Sequence, residues 1–167
     1  FGALGNERYV DYCTHIRKSG EGLLAVISDV LDMSRIEAGR LSLQRETVDV
    51  EEVVNACVST LRGDAEAKGV ALSTGALEAQ AISGDREQLE KVLGSLLRNA
   101  LKFTPRGGLV NVRMRVLNES VKIYVEDTGV GIPPEALARV GRPFEQIDTP
   151  LEDGMRGSGL GLAIARS

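Results

Sequence analysis

Hydrophobic positions recur every three or four residues from about residue 6 to residue 38, a period that predicts one long amphipathic helix. Asn6 fits an N-cap, and Gly39 stands where the helix should end. The apolar stripe of this helix comprises Tyr9, Ile16, Leu23, Ile27 and Val30. Nothing close in sequence can cover so long a stripe, so the pattern predicts a bundle or coiled-coil seam that needs a partner helix.

Beyond this helix the period changes, and short alternating runs predict strands separated by two further helices. Each of these helices opens with a capping-box pair, Asp49 with Glu52 and Asp85 with Gln88. The predicted strands lie at residues 40–50, 69–74 and 79–83, and two longer runs at 109–117 and 121–127 predict a hairpin.

The last part of the chain is rich in glycine and proline. Residues 128–140 form a glycine segment that leads into a short helix with proline at its start. Residues 141–159 are polar and predict a flexible loop, which at this length is more often functional than structural. The whole pattern predicts an α+β fold, in which a long bundle-forming helix (residues 1–40) precedes an α/β sandwich (residues 41–167).

Composition and charge narrow the class of protein. An apolar fraction of 43% with 26% charged residues is typical of a folded globular chain. The net charge of −4, without a basic run, argues against nucleic acid and anionic membrane as partners. Cys13 and Cys57 lack metal-ligand spacing and predict reduced thiols in a cytoplasmic protein. No apolar run reaches the roughly 18 residues of a membrane-spanning helix, although membrane anchoring of a longer parent protein stays open.

Three segments carry candidate chemistry. Asn99 and Lys102 are three residues apart on the polar side of a leucine-rich helix, where a merely solvated face is the alternative. An amide oxygen suits Mg²⁺, and an ammonium can neutralise phosphate charge. Asp127 ends a strand, and the glycines after it allow a flat ligand to approach the backbone closely.

The third segment is a glycine run that opens the last helix, where bare backbone amides can bind an anion. It contains Gly157, Gly159 and Gly161. Together, a carboxylate, an amide, an ammonium and this run indicate a nucleotide with its phosphates. Pro134 occupies the place of the third glycine of a dinucleotide fingerprint, and no Gly-Lys-Ser/Thr phosphate loop is present in the sequence. The single histidine, His15, argues against a histidine-rich metal site.

Four stretches in a fixed order carry a resemblance to a known family. They are QLEKVLGSLLRNALKFTP (residues 88–105), DTGVGIP (127–133), RPFEQ (142–146) and GSGLGLAIA (157–165). They resemble the N, G1, F and G2 boxes of the sensor histidine kinases of two-component signalling. VLDMSRIEAG (30–39) is similar to the end of the second dimerisation helix of that family. The family shares its ATP-binding fold with type II topoisomerases, Hsp90 chaperones and MutL repair proteins.

The resemblance implies a Bergerat-type sandwich, a mixed sheet covered on one face by helices, that binds ATP and Mg²⁺. Asp127 would accept a hydrogen bond from the adenine amino group, with Gly129 and Gly131 close to the ring. Asn99 would ligate Mg²⁺, and Lys102 would lie near the phosphates. Phe103 would line the adenine pocket, although packing in the core is the alternative for this residue. Phe144 would anchor the ATP lid, and Arg156 would contact a phosphate. The end of the lid would contact the phosphates through Gly157, Ser158, Gly159, Leu160 and Gly161.

The sequence departs from the family in two places. His15 matches no phosphoacceptor motif, so the accepting histidine is expected outside this chain, which resembles a fragment that also stops soon after the G2 box. Ser95 stands where the family usually has a second asparagine and where related ATPases have a catalytic glutamate.

Three functional hypotheses follow from the resemblance and its departures. The first is a kinase region that phosphorylates a histidine for relay to a response regulator or phosphotransfer protein. The second is a repurposed pseudokinase that serves as a dimerisation and interaction module. The third is an ATPase that drives a conformational cycle. Ser95 in place of a glutamate and the bundle-like first helix count against the third hypothesis. The first helix is expected to form a homodimer, with no nucleic-acid or membrane contact by this segment.

Overall fold

The computed structural model describes residues 7–78, 80–118, 120–146 and 158–166. The chain divides into two compact units, Phe1–Leu41 and Ser42–Ser167, and each is described by itself.

The described residues of the first unit contain one helix, α1 (Glu7–Glu37), as the hydrophobic period predicts. The helix ends where the N–H of Gly39, in a left-handed conformation with φ +62°, donates to the carbonyl of Ile36. The side chains of the predicted apolar stripe of α1 are exposed: Ile16 is 72% and Leu23 62% accessible. The predicted cap Asn6 lies outside the described residues.

The second unit alternates strands and helices. In chain order its elements are β1 (Glu46–Asp49), α2 (Val50–Lys68), β2 (Ala71–Leu77), β3 (Ala81–Gly84), α3 (Arg86–Phe103), β4 (Leu109–Leu117), β5 (Ser120–Asp127), a 3₁₀ helix (Pro134–Arg139) and α4 (Gly161–Arg166). Both predicted caps are present. The carboxylate of Asp49 accepts from the N–H of Glu51, and that of Asp85 accepts from the N–H of Gln88.

Strands β2, β4 and β5 form a mixed sheet in that order, with β2 parallel and β5 antiparallel to β4. Helices α2 and α3 pack on one face of this sheet, so the predicted fold class is confirmed. Along β4, the side chains that face the helices are fully buried, namely Val110, Val112 and Met114. The intervening residues lie on the polar opposite face, where Arg113 pairs with Glu126 at 2.8 Å and stacks on the ring of Tyr124.

The core lies between this sheet and the two helices. Val54 of α2 and Leu97 of α3 have no exposed surface, and Val48 brings β1 into the same cluster. Burial of these side chains is the main force that holds α3 against the sheet. Within the described ranges, no helix is both long enough and apolar enough to cross a membrane.

The predicted strand at residues 40–50 is wrong over most of its length. Only Glu46–Asp49 is extended in a ladder, and it pairs antiparallel with β3 in a separate two-stranded sheet. Residues 41–46 are all exposed, so their alternation is not fixed by packing against a core. The short helix with proline at its start is also present, but as a 3₁₀ helix of six residues.

Candidate functional site

The carboxyl end of α3 is held by groups from outside the helix. The last carbonyls of an α-helix have no partner within it. The hydroxyl of Thr104, a fully buried residue, donates a hydrogen bond to the carbonyl of Ala100 at 2.7 Å. The ammonium of Lys68, at the end of α2, donates to the carbonyls of Leu101 at 2.7 Å and Lys102 at 2.6 Å. Three of the four terminal carbonyls are thereby satisfied.

The fourth carbonyl, that of Phe103, accepts the N–H of Val130 at 3.2 Å. This bond places the glycine segment after β5 directly on the last turn of α3. The contact is close: a Cβ on Gly129 would lie 2.6 Å from the Phe103 oxygen. The N–H of Gly129 donates in turn to Oδ1 of Asp127 at 2.8 Å. The end of α3 and the DTGVG segment therefore form one structural unit.

Asn99 and Lys102 lie at this same end of α3, and both are partly buried. Burial lowers the pKa of the Lys102 ammonium, whose Nζ is 5.0 Å from the centre of the Phe103 ring. Within the described part of the chain, no carboxylate pairs with Lys102, and the Asn99 amide makes no hydrogen bond. Desolvated polar groups without protein partners are typical of a ligand-binding site.

Asp127 is exposed at the end of β5. Its Oδ1 holds the N–H of Gly129, and its Oδ2 accepts no hydrogen bond from the described residues. A carboxylate oxygen that is fixed in place and still free to accept can read an amino group on a ligand.

The start of α4 packs against α3 one turn before Asn99. A Cβ on Gly161 would lie 2.3 Å from Oγ of Ser95, so only glycine allows this approach while the hydroxyl keeps its place. Gly159 has φ +72°, and a Cβ there would lie 2.9 Å from the backbone carbonyl carbon of Phe144. The described part of the glycine run therefore lies on the helix that carries Asn99.

The other predicted site residues differ in whether the backbone or the side chain makes the contact. The Phe144 side chain is 65% exposed with φ +61°, so its backbone, not its ring, contacts the glycine run. Leu160 is fully buried, and its N–H donates to Oγ of Ser158 at 3.3 Å. Gly131 has φ +70° in open space. The predicted residues Arg156 and Gly157 lie outside the described residues.

Sequence analysis did not identify two residues, Lys68 and Thr128, that hold the elements of this candidate site together. The sequence does not reveal the role of Lys68, because the nearer carbonyl that it binds, that of Leu101, is 33 residues away. A lysine at the end of a helix such as α2 is also common on solvated surfaces. Thr128 receives the N–H of Leu109 on its Oγ1 at 2.9 Å, and a Cβ on Gly108 would lie 2.9 Å from that oxygen. The Gly107–Gly108 pair after the helix was the available signal that another segment packs closely there.

A sequence profile of the family described as histidine kinase-, DNA gyrase B- and HSP90-like ATPase matches residues 84–167. The matched range covers α3, the DTGVG segment and the start of α4, which are the elements that build the site.

The chain is also similar to two proteins of Caulobacter vibrioides. It is 43% identical over 171 residues to the non-motile and phage-resistance protein, covering 100% of this chain and 20% of that protein. It is 46% identical over 171 residues to histidine protein kinase DivJ, covering 100% of this chain and 28% of that protein. In structure it is similar to full-length ShkA in complex with AMPPNP, with a TM-score of 0.78, 31% identity and coverage of 98% and 34%. The chain thus spans well under half the length of these proteins.

We expect Gly129→Ala to lower the free energy of unfolding by about 1–3 kcal/mol, because a backbone carbonyl cannot rotate away from the added methyl group. Gly63→Ala is the matched control: it lies in α2, where an added Cβ meets nothing within 4 Å. That control should raise the free energy of unfolding by about 0.5–1 kcal/mol. Urea denaturation of both variants measures the difference. A Gly129→Ala protein as stable as the wild type would contradict the close packing of the glycine segment on α3.

Proposed function

The chain belongs to the histidine kinase-, DNA gyrase B- and HSP90-like ATPase family, and from that premise we propose that its second unit binds Mg²⁺-ATP and transfers the γ-phosphoryl group to a histidine outside these 167 residues. The observation that carries the proposal is the bond from the N–H of Val130 to the carbonyl of Phe103. It joins a carboxylate segment to the helix end that bears an amide and an ammonium without polar partners among the described residues.

Asp127 supplies adenine recognition in this proposal. Gly129 fixes one carboxylate oxygen, and the other is left to accept a hydrogen bond from the exocyclic amino group of adenine. Guanine presents a carbonyl oxygen at the corresponding position, so a carboxylate acceptor selects against it. The exposed position of Asp127 at the end of β5 leaves room for the ring beside the glycine segment.

Asn99 is the proposed ligand of Mg²⁺. A bound magnesium ion would neutralise charge on the phosphates of ATP. The residues present fit such an ion: the Asn99 amide oxygen is a hard donor, partly buried, with no hydrogen bond from the described residues. Mg²⁺ in proteins commonly takes only one or two protein oxygens, so Asn99 alone would suffice to hold it beside the phosphates.

Lys102 is the proposed phosphate contact. Its ammonium is partly desolvated and has no carboxylate partner in the described residues, so a bound phosphate would supply the missing countercharge. The resemblance also assigns phosphate contacts to the backbone of the glycine run, of which Gly159 and Gly161 lie against neighbouring elements of this unit. Transfer would then depend on alignment and charge neutralisation more than on covalent chemistry by the protein.

A second candidate function follows from Ser95. Its short hydroxyl lies beside Gly161, one turn from Asn99, where the family usually has an amide side chain. The hydroxyl reaches less far to orient an attacking group. A protein that binds nucleotide but signals by contact, a pseudokinase, is therefore the alternative. Transfer of labelled phosphate from ATP to a histidine, in a protein that joins this chain to a histidine-bearing dimerisation helix, distinguishes the two.

We further propose that α1 forms a homodimer and that a response regulator or phosphotransfer protein receives the phosphoryl group. The support for the dimer is the exposed apolar stripe of α1, in which Ile16 and Leu23 are more than 60% accessible. Two such stripes can cover each other in an antiparallel or parallel bundle.

We expect Asp127→Asn to weaken AMPPNP binding by about tenfold or more, because a hydrogen bond to a charged group is worth about 1.5–3 kcal/mol. The preference for AMPPNP over GMPPNP should fall as well. Glu126→Gln is the matched control, since it removes the same charge from the neighbouring residue, which pairs with Arg113 on the other face of the sheet. Isothermal calorimetry compares the three proteins. Equal affinities in wild type and Asp127→Asn would remove Asp127 from the site.

Asn99→Ala should abolish most of the increase in AMPPNP affinity that Mg²⁺ produces, because the variant lacks the proposed metal ligand. The measurement is the ratio of dissociation constants in EDTA and in excess magnesium. Asn111→Ala is the control, because Asn111 lies on the polar face of the sheet and accepts from Ser73. A ratio that is the same in Asn99→Ala and wild type would overturn the metal assignment.

Light scattering should give a mass of twice 17.9 kDa for this chain. Ile16→Glu with Leu23→Glu should reduce it to the monomer mass, because two charges would be buried in the seam. Ala25→Glu adds a charge two positions from both Leu23 and Ile27, on the side of the helix away from the stripe, and should leave the dimer intact. A wild-type chain that is monomeric at all concentrations would contradict the proposed dimer.

A further inference from the structure

We infer that Lys68 is a positioning residue of the nucleotide site, which it controls from α2 by fixing the last turn of α3. The inference rests on the proposed function for its consequence in binding, but its structural part can be tested without nucleotide.

Lys68 bridges two helices through its ammonium. It is the last residue of α2, and its Nζ donates to the carbonyls of Leu101 and Lys102 at 2.7 and 2.6 Å. These are charge-assisted hydrogen bonds at the negative end of the α3 dipole, where a cation is favoured. One side chain thus satisfies two of the four carbonyls that α3 cannot satisfy by itself.

Other bonds hold the surrounding backbone without Lys68. The N–H of Gly107 donates to the carbonyl of Gly69 at 2.8 Å, and the N–H of Ala71 donates to that of Gly108 at 2.9 Å. The buried faces of α2 and α3 add the apolar contacts of the core. Loss of the ammonium should therefore leave the fold intact and act on the last turn of α3.

That turn carries two parts of the site. It bears the Lys102 side chain, and its final carbonyl, on Phe103, receives the N–H of Val130. If the carbonyls of Leu101 and Lys102 lose their donor, they must turn toward water, because a polar group left unsatisfied and partly buried is costly. The last turn of α3 then frays, and the Phe103 carbonyl that binds the Val130 amide moves with it. Lys68 therefore acts on Lys102 and on the glycine segment together.

Amide hydrogen exchange of the nucleotide-free protein tests the structural part. In Lys68→Met, the Val130 amide should exchange at least tenfold faster than in wild type, while amides of the β4–β5 ladder keep their rates. Lys122→Met is the control, since it removes one positive charge from an exposed position on β5. Lys68→Arg should restore protection at Val130. Lys68→Gln, which keeps one neutral donor, serves if Lys68→Met does not fold. An unchanged Val130 rate, or equal acceleration across the ladder, overturns the inference.

Calorimetry with AMPPNP and Mg²⁺ tests the consequence for binding, at a temperature where every variant is fully folded. Lys68→Met should bind about tenfold more weakly, Lys122→Met within twofold of wild type, and Lys68→Arg in between. If the Val130 amide exchanges faster but the affinity for AMPPNP is unchanged, Lys68 only caps helix α3, and its proposed role in the site is overturned. If wild type itself binds no AMPPNP, the proposed function fails, and the exchange experiment still decides whether Lys68 positions this loop.

Discussion

The candidate site depends on how the carboxyl end of α3 is completed. A helix leaves its last four carbonyls without partners, and here each partner comes from a different direction: Thr104 from the following residue, Lys68 from α2 and Val130 from the loop after β5. A purely local cap would satisfy the same carbonyls but would not tie three segments together. The requirement to satisfy backbone polar groups thus sets the relative positions of the site's components.

The same helix end combines a fully satisfied backbone with unsatisfied side chains. The carbonyls of its last turn all have donors, whereas the Asn99 amide and the Lys102 ammonium have no polar partner among the described residues. Burial disfavours the charged form of Lys102, so the folded protein holds this cation at a cost that a bound anion can offset. A preorganised site differs from a solvated helix face in that its backbone is fixed while its polar side chains lack protein partners.

Local sequence signals were sufficient to predict most of the helices and strands and the family. The leucine period and Asp85 predicted α3, the alternation predicted the β4–β5 hairpin, and the four ordered boxes predicted the fold and the family, which the match over residues 84–167 confirms. The site residues remain predictions. Lys68 could not be found, because its role depends on tertiary contacts with carbonyls 33 and 34 positions away. The strand predicted at residues 40–50 failed over residues 40–45 for the converse reason: the alternation there has no core to pack on.

Ser95 shows how a tertiary contact changes the meaning of a sequence departure. By sequence alone, it is a lost amide that weakens catalysis. In the structure its Oγ lies where a Cβ on Gly161 would come within 2.3 Å, so Ser95 and Gly161 are matched in size. A longer side chain at position 95 would have to point its added atoms away from Gly161 or shift the start of α4. The departure at position 95 therefore concerns the packing of α4 on the helix that carries Asn99, as well as the orientation of an attacking group.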